Sequence, residues 1–355
     1  MKKVKTFILS ALMGMSATAL ADGIRIEPFT LTYGTPLDVE ILLDNNINYG
    51  ALQFDLYLPQ GVKVFEDEYG PYYEITSRLQ YKNGRTTENF THSVDRLANG
   101  AYRFLIFNSA GQNIAGMSGE AIMTVRLEAT DQLTTGENVI TVKEQVLSTV
   151  EATRYPISDA TFKCALALRT TIRPLGYATF SWPRRVDFRG AEGLTAWIVT
   201  EVGDGSVKME QVEKVEEGTA VVLQGAEGTY ELSTFPDDGI CDDTEGNKLT
   251  GTANAPYTVE GVGVFVLSNK TDGIAGFYPA VAGLEIAQYK AYLNKSDASL
   301  SVRFFAFDGT ASGISTANAE VADDYCYDLM GRRVGSQGSL RKGLYIRNRK
   351  VITVK

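Results

Sequence analysis

Short runs in which apolar and polar residues alternate, each closed by a glycine-bearing turn, recur along almost the whole chain. They constrain the fold more than any other feature. Leu37–Leu43 alternates and ends in Asp44-Asn45-Asn46, and Leu52–Leu58 alternates and ends in Pro59-Gln60-Gly61. Ala101–Phe107 and Ala121–Leu127 each follow a turn, Asn99-Gly100 and Ser118-Gly119, and Val139–Val142 and Ala160–Lys163 extend the series. A period of two places alternate side chains on opposite faces of a pleated strand. No long stretch holds the 3.6-residue period of a helix. Short strands at regular spacing with turn residues between them predict an all-β chain built of antiparallel sandwiches or barrels. The same pattern resumes beyond residue 169, at Leu194–Val199, Val207–Val215, Ala220–Leu223, Thr229–Leu232, Gly263–Leu267 and Val302–Phe307.

The first residues read as an export signal. Lys2, Lys3 and Lys5 form a positive start, Phe7–Met15 a short apolar run, and Ala19-Leu20-Ala21 a small-x-small cleavage site. Residues 1–21 are therefore expected to be removed, leaving a chain that begins near Asp22. The apolar run is shorter than the roughly 20 residues a membrane helix needs, and no cysteine sits at the cleavage point for a lipid anchor. The formal charge is −9, with 43 acidic against 34 basic residues, and it grows more negative when the three lysines leave. Such a chain repels nucleic-acid phosphates and anionic lipid, which excludes both as natural partners. Acidity also serves solubility alone.

About 330 remaining residues suggest two domains at roughly 100–200 residues each, large enough to bury cores without disulfides. Cys164, Cys241 and Cys326 are widely spaced. One disulfide with a thiol left over and three isolated thiols are both compatible with that spacing. His92 is the only histidine. It lies in a polar stretch with no nucleophile elbow nearby, so a His-rich zinc site or a Ser-His-Asp triad is not expected.

Gly34–Ile41 gives a glycine and an alternating strand, Tyr49–Pro59 follows with Gly50-Ala51-Leu52-Gln53-Phe54-Asp55-Leu56 leading to Pro59, and Tyr102–Asn108 and Gly119–Leu127 continue the series. In this, residues 22–167 resemble the cohesin family and related cellulose-binding β-sandwiches. The resemblance implies a jelly-roll sandwich that binds a partner, a dockerin module in cohesins, on one sheet face and has no catalytic residues. Residues 168–310 are expected to form a second antiparallel β domain. Through Gly176–Phe180, Gly193–Trp197, Gly218–Leu223, Gly276–Tyr278 and Lys290–Leu293 they resemble a β module found toward the C-terminus of Bacteroidetes surface proteins. Residues 311–326, small and polar, read as a linker; a hairpin packed on the second module is the alternative. Residues 327–355 hold three short apolar runs with glycines between, as in Tyr327–Val334 and Lys342–Lys355. They resemble the C-terminal sorting tails of the type IX secretion family, which implies a secreted or cell-surface protein, outer-membrane associated, handled by type IX-like export machinery.

The region 66–91 departs from the cohesin pattern as a long polar insertion rich in acids and tyrosines. On the strand Leu52–Leu58, alternation turns Leu52, Phe54, Leu56 and Leu58 inward and Gln53, Asp55 and Tyr57 outward. Those three, with Tyr69, Tyr72 and Tyr73 of the insertion, are the candidate ligand-binding residues. Tyrosine rings and carboxylates together suit sugars or a protein module. The alternative is a loop that covers a sheet edge. The acidic run Asp237–Asn247 lacks the alternating acids and the Gly of a calcium loop, so no metal is expected there, and no phosphate-binding glycine motif opens a helix. Neither a cofactor nor an enzymatic activity is expected. The reading is an exported, non-catalytic binding module that recognises a dockerin-like protein or a glycan. Alternatives are a structural scaffold without a ligand, or an accessory of glycoside hydrolysis in polysaccharide breakdown.

Overall fold

A computed structural model describes residues 22–76, 79–83, 86–114, 119–203, 205–235, 239–269, 274–295, 304–307, 325–327, 333–336, 343–347 and 350–354, with backbone alone at 80–83, 86–89 and beyond 324. The expected signal segment 1–21 and most of the expected linker lie outside the described residues. Among the described residues there is no α-helix, and every regular element beyond single turns is a strand.

The N-terminal half consists of β1 (Gly23–Arg25), β2 (Phe29–Thr32), β3 (Leu37–Asp44), β4 (Ala51–Tyr57), β5 (Val62–Val64), β6 (Glu66–Asp67), β7 (Gly70–Pro71), β8 (Tyr73–Ile75), β9 (Gln80–Asn83), β10 (Thr86–Asn89), β11 (Thr91–Arg96), β12 (Tyr102–Phe107), β13 (Glu120–Ala129), β14 (Gly136–Ser148), β15 (Arg154–Ile157) and β16 (Ala160–Ile172). One sheet runs β1-β3-β13-β5, with β8 also on β13. The other begins β11-β12-β4-β14-β16. The alternation within each strand explains the sandwich. Val39, Ile41 and Leu43 of β3 and Val125 and Leu127 of β13 face Leu52, Phe54 and Leu56 of β4 and Phe104 and Ile106 of β12, all buried in one cluster. Phe54 and Phe104 lie directly opposite in the ladder and stack with centroids 4.8 Å apart. Each large side chain buried this way contributes roughly 1.5–3 kcal/mol. Leu58, past the end of β4, packs only at the margin of this core.

The turn after β4 depends on Gly61. Its φ is +79°, and a Cβ there would stand 2.3 Å from Leu133 Cα. No side chain fits, and the backbone conformation is one L-residues avoid.

The described residues of 66–91 fold into short strands. β6 and β7 form a small hairpin, β9 and β10 a second, and β8 joins the first sheet beside β13. The Tyr72 backbone amide donates to the Phe65 carbonyl, and Arg126 N donates to the Tyr72 carbonyl. The backbone groups of the segment are thus used by the sheet it flanks.

β16 is thirteen residues long and passes from one half of the chain to the other. Residues 160–166 pair with β14, and 168–172 pair with a strand of the second half. That half comprises β17 (Tyr177–Phe180), β18 (Val186–Asp187), β19 (Thr195–Val202), β20 (Ser206–Val212), β21 (Lys214–Val215), β22 (Val221–Gln224), β23 (Gly228–Thr234), β24 (Leu249–Gly251), β25 (Tyr257–Thr258), β26 (Val264–Ser268), β27 (Gly276–Pro279), β28 (Glu285–Ile286), β29 (Ala291–Asn294) and β30 (Phe305–Phe307). The sandwich sheet continues as β16-β23-β18-β21, and a nine-stranded sheet runs β17-β22-β19-β20-β30-β27-β26-β29-β24. The boundary read from sequence at 167/168 falls inside β16. The core is continuous across it, from Leu166 and Leu168 to Ile172, Phe180, Trp182 and Leu232. Tyr33 of the first half meets Trp182 edge-on at 4.7 Å, and its hydroxyl donates to Tyr289 Oη at 2.7 Å. Thr135 N and Thr234 N each donate to the other's hydroxyl, at 2.9 and 2.8 Å.

The stretch expected as one strand from Val207 to Val215 breaks at Glu213. There Asp242 Oδ2 accepts from both Glu213 N and Lys214 N, at 2.5 and 3.0 Å. The described part of the acidic run 237–247 is thus tied to the sheet by the Asp242 carboxylate. Beyond it, β31 (Tyr325–Tyr327), β32 (Arg333–Ser336), β33 (Gly343–Arg347) and β34 (Lys350–Val354) form a separate antiparallel sheet, order β32-β31-β33-β34. Among the described residues this region has four strands where three apolar runs were read, the first of them at Tyr325–Tyr327.

Candidate recognition face

The outer face of β11-β12-β4-β14 gathers one part of the expected binding set. Ladder partners share a face, so the register places side chains in rows. Asp55 stands opposite Arg103 on one side and Lys143 on the other. Gln53 stands between Leu105 and Val146, and Ala51 between Phe107 and Ser148. β11 extends these rows with Asp95, Ser93 and Thr91.

Asp55 was expected to face solvent. It does lie on the outward side of β4, but it is only 2% exposed. The reason is Arg103, whose fork covers it: Nε donates to Oδ1 at 2.7 Å and Nη2 to Oδ2 at 2.8 Å. A two-pronged guanidinium–carboxylate contact fixes both groups in one geometry. The hydrogen bonds to Asp55 push the Arg103 pKa further up, and the charge of Glu144 adds to this. Glu144 occupies a β-bulge in β14, between Lys143 and Val146, with φ +50°. A bulge at such a site re-aims side chains.

Tyr57, half-buried, borders the fork. Its ring lies 5.4 Å from the Lys143 ammonium, and its hydroxyl accepts from Asn99 Nδ2 at 3.1 Å. Gln53 is half-buried. Leu105 and Phe107 point outward from β12, each 37% exposed. The face thus presents a pinned charge pair between an aromatic-and-cation edge and an apolar edge.

The other three expected residues lie elsewhere. Tyr73 sits on the inner side, between the sheets. Its hydroxyl is 2.6 Å from His92 Nδ1 and its ring meets Phe104 edge-on at 6.2 Å; burial raises its pKa. Tyr72 lies against the outer side of the opposite sheet, where the Arg126 guanidinium stacks 4.2 Å from its ring centroid. Its hydroxyl donates to Glu74 at 2.6 Å, which raises its pKa. Tyr69, at the tip of the β6–β7 hairpin, is 89% exposed. The six residues therefore do not form one surface; Gln53, Asp55 and Tyr57 do.

Arg103, Leu105, Phe107 and Lys143 complete that surface and were not singled out from the sequence. Their signal was present: Tyr102–Phe107 alternates as cleanly as β4. What was missing was its register against β4.

Cys164 is buried and Cys241 half-buried, and both are free. Burial pushes the Cys164 thiol up to about 11, which keeps it protonated and unreactive. Cys326 lies in β31, of which only the backbone is described. Among the described residues, no cluster of three or more potential metal ligands is present.

No family model matches the chain, and no curated protein matches it. Solved structures that match part of the chain include a non-cellulosomal cohesin from the archaeon Archaeoglobus fulgidus, at 14% identity and a TM-score of 0.30, covering 40% of this chain and 89% of that one. The seventh ScaB type I cohesin of Pseudobacteroides cellulosolvens matches at 13% identity and TM-score 0.30, covering 41% and 91%. A type I cohesin–dockerin complex from Clostridium thermocellum contains a chain matching at 9% identity and TM-score 0.31, covering 43% and 99%.

Proposed function

We propose that the N-terminal half is a non-catalytic docking module, and that its partner is a small dockerin-like protein seated on the outer face of β11-β12-β4-β14. The observation that carries this reading is the fork of Arg103 on buried Asp55, flanked by the exposed apolar side chains of Leu105 and Phe107. A held charge pair costs little ordering entropy on binding, and the apolar edge supplies area to bury. A face of four strands can offer the roughly 800 Å² per partner that a stable interface uses. The cohesin-like sequence pattern of residues 22–167 supports the same partner class. The chain is exported and held at the cell surface, the N-terminal signal being removed before Asp22 and the C-terminal β tail serving type IX-like machinery. Mass analysis of the secreted protein's N-terminus tests the export step; retention of Met1 speaks against it.

The docking test is titration calorimetry of the full secreted chain with a panel of purified dockerin modules, set beside a glycan array. Binding of a dockerin that weakens at least tenfold in Leu105→Asp/Phe107→Asp, with an unchanged melting temperature, supports the proposal. Glycan binding unaffected by that double substitution, with no dockerin bound, refutes it in favour of sugar recognition elsewhere. Silence on both panels favours the scaffold alternative.

A further inference from the structure

A cleft of about 800 Å³ lies where β16 meets the second half of the chain, walled by β16, β17, β26 and the segment 284–291. Three basic side chains line it. Arg169 is neutralised by Glu231 at 2.6 Å. Arg173 and Lys290 have no acidic partner within ion-pair distance among the described residues, although the chain carries 43 acidic residues against 34 basic ones. Among the described residues, the one carboxylate on the cleft wall is exposed Glu285.

Lys290 is exposed as a residue, yet its ammonium is crowded by protein. Burial first, and the nearby Arg173 charge second, hold its pKa below the ordinary lysine value. Two like charges placed together in a partly desolvated cleft cost free energy unless something negative joins them. Trp182 lines the same cleft but is 2% exposed, its ring packed against Tyr33, Phe180 and Tyr289.

We infer that this cleft binds an acidic saccharide, with Arg173 and Lys290 taking the carboxylate of a uronic acid ring and the wall hydroxyls and amides taking its hydroxyls. The volume falls in the range of organic-ligand sites, roughly 300–1,000 Å³, and far exceeds what a simple inorganic anion fills. The walls carry Thr170, Thr171, Thr179, Ser268 and Gln288, which donate to and accept from hydroxyls, while Tyr177 and Trp182 lie almost fully buried behind them. A guanidinium and an ammonium together match one carboxylate better than a neutral sugar, which leaves both charges uncompensated. The site is separate from the docking face and does not depend on it.

Titration calorimetry of the full chain with the trimers of galacturonate, glucuronate and mannuronate, and with the neutral trigalactose, tests the inference. At least one uronate trimer is expected to bind, and trigalactose about tenfold more weakly or not at all. Each lost charged contact is expected to weaken binding about tenfold, so Arg173→Gln/Lys290→Gln abolishes it at accessible concentrations. Leu105→Asp on the docking face is expected to leave uronate affinity unchanged, so failure here and failure of the docking reading are distinguishable. The inference is overturned if no uronate trimer binds, if the neutral trimer binds as tightly, or if the double variant binds like the parent. It is also overturned if acetate or sulfate alone displaces the trimer at equal concentration, since the site then holds an adventitious ion only. A retained melting temperature in the double variant shows that a loss of binding is not a loss of fold.

Discussion

Replacing Arg103 by leucine tests the most tightly built part of the recognition face. The substitution leaves Asp55, 2% exposed, without the two donors at 2.7 and 2.8 Å that now satisfy both its oxygens. Breaking a buried ion pair by removing one partner costs about 3–5 kcal/mol. The Arg103 side chain is itself 38% exposed, so water enters where it stood and screens part of that cost. Lys143, opposite Asp55 on the other neighbouring strand, can take over some of the charge. The expected loss is therefore about 2–3 kcal/mol, between the cost of an unmade hydrogen bond to a charged group and that of a fully buried broken pair. For a domain of this size that corresponds to a melting temperature lower by about 5–10 °C. Urea denaturation at pH 7 measures it directly. The companion variants are Asp55→Asn and the pair Asp55→Asn/Arg103→Leu. Because the neutral amide needs no counter-charge, the pair is expected to recover about half or more of the single Arg103 loss, a coupling of roughly 1–2 kcal/mol. An Arg103→Leu loss below about 0.5 kcal/mol, within the range of an ordinary surface change, or strict additivity in the pair, refutes the reading of a pinned fork.

Three further expectations follow from the packing. Tyr73→Ala, which strips a ring from Phe104 and His92, is expected to cost about 1–3 kcal/mol, whereas Tyr69→Ala at the exposed hairpin tip is expected to stay within about 0.5 kcal/mol; equal effects in thermal melts would contradict the inner placement of Tyr73. Burial, together with the hydrogen bond its hydroxyl donates to Asp22 at 2.5 Å, raises the Tyr49 pKa. The folded value lies above the unfolded one near 10, so this contribution is whole below about pH 10 and is lost as pH rises through the folded value. The parent chain should therefore lose more stability than Tyr49→Phe between pH 9 and 11, and parallel pH profiles would exclude it. Finally, a fragment of residues 22–167 ends inside β16 and leaves Tyr33 without Trp182 and Tyr289. It is expected to melt below the full chain, and a fragment that melts at the same temperature would show the two halves to be energetically independent.

The alternation itself was enough to determine an all-β chain, the inward set Leu52, Phe54 and Leu56, and the turn at Pro59-Gln60-Gly61, because a two-residue period and a glycine at positive φ are local properties. The fate of Asp55 was not local. Period two assigns a residue to a face, but which side chain stands across from it depends on the register of a strand nearly fifty positions away. Only that register lays Arg103 over Asp55 and brings Leu105 beside Gln53. The same limit applies to the tyrosines of the insertion. As sequence they are one amphipathic cluster, yet pairing of β8 with β13 sends Tyr73 between the sheets and leaves Tyr72 on the far side. The strand pattern that resumes beyond residue 169 looks like the start of a second domain. Tertiary structure instead carries one strand through it, because residues 160–166 and 168–172 find different partners on the same extended backbone. Arg173 and Lys290 become neighbours for the same reason. The chain's own chemistry supplies the charges and the strands, while long-range packing, which no local pattern encodes, decides which of them meet.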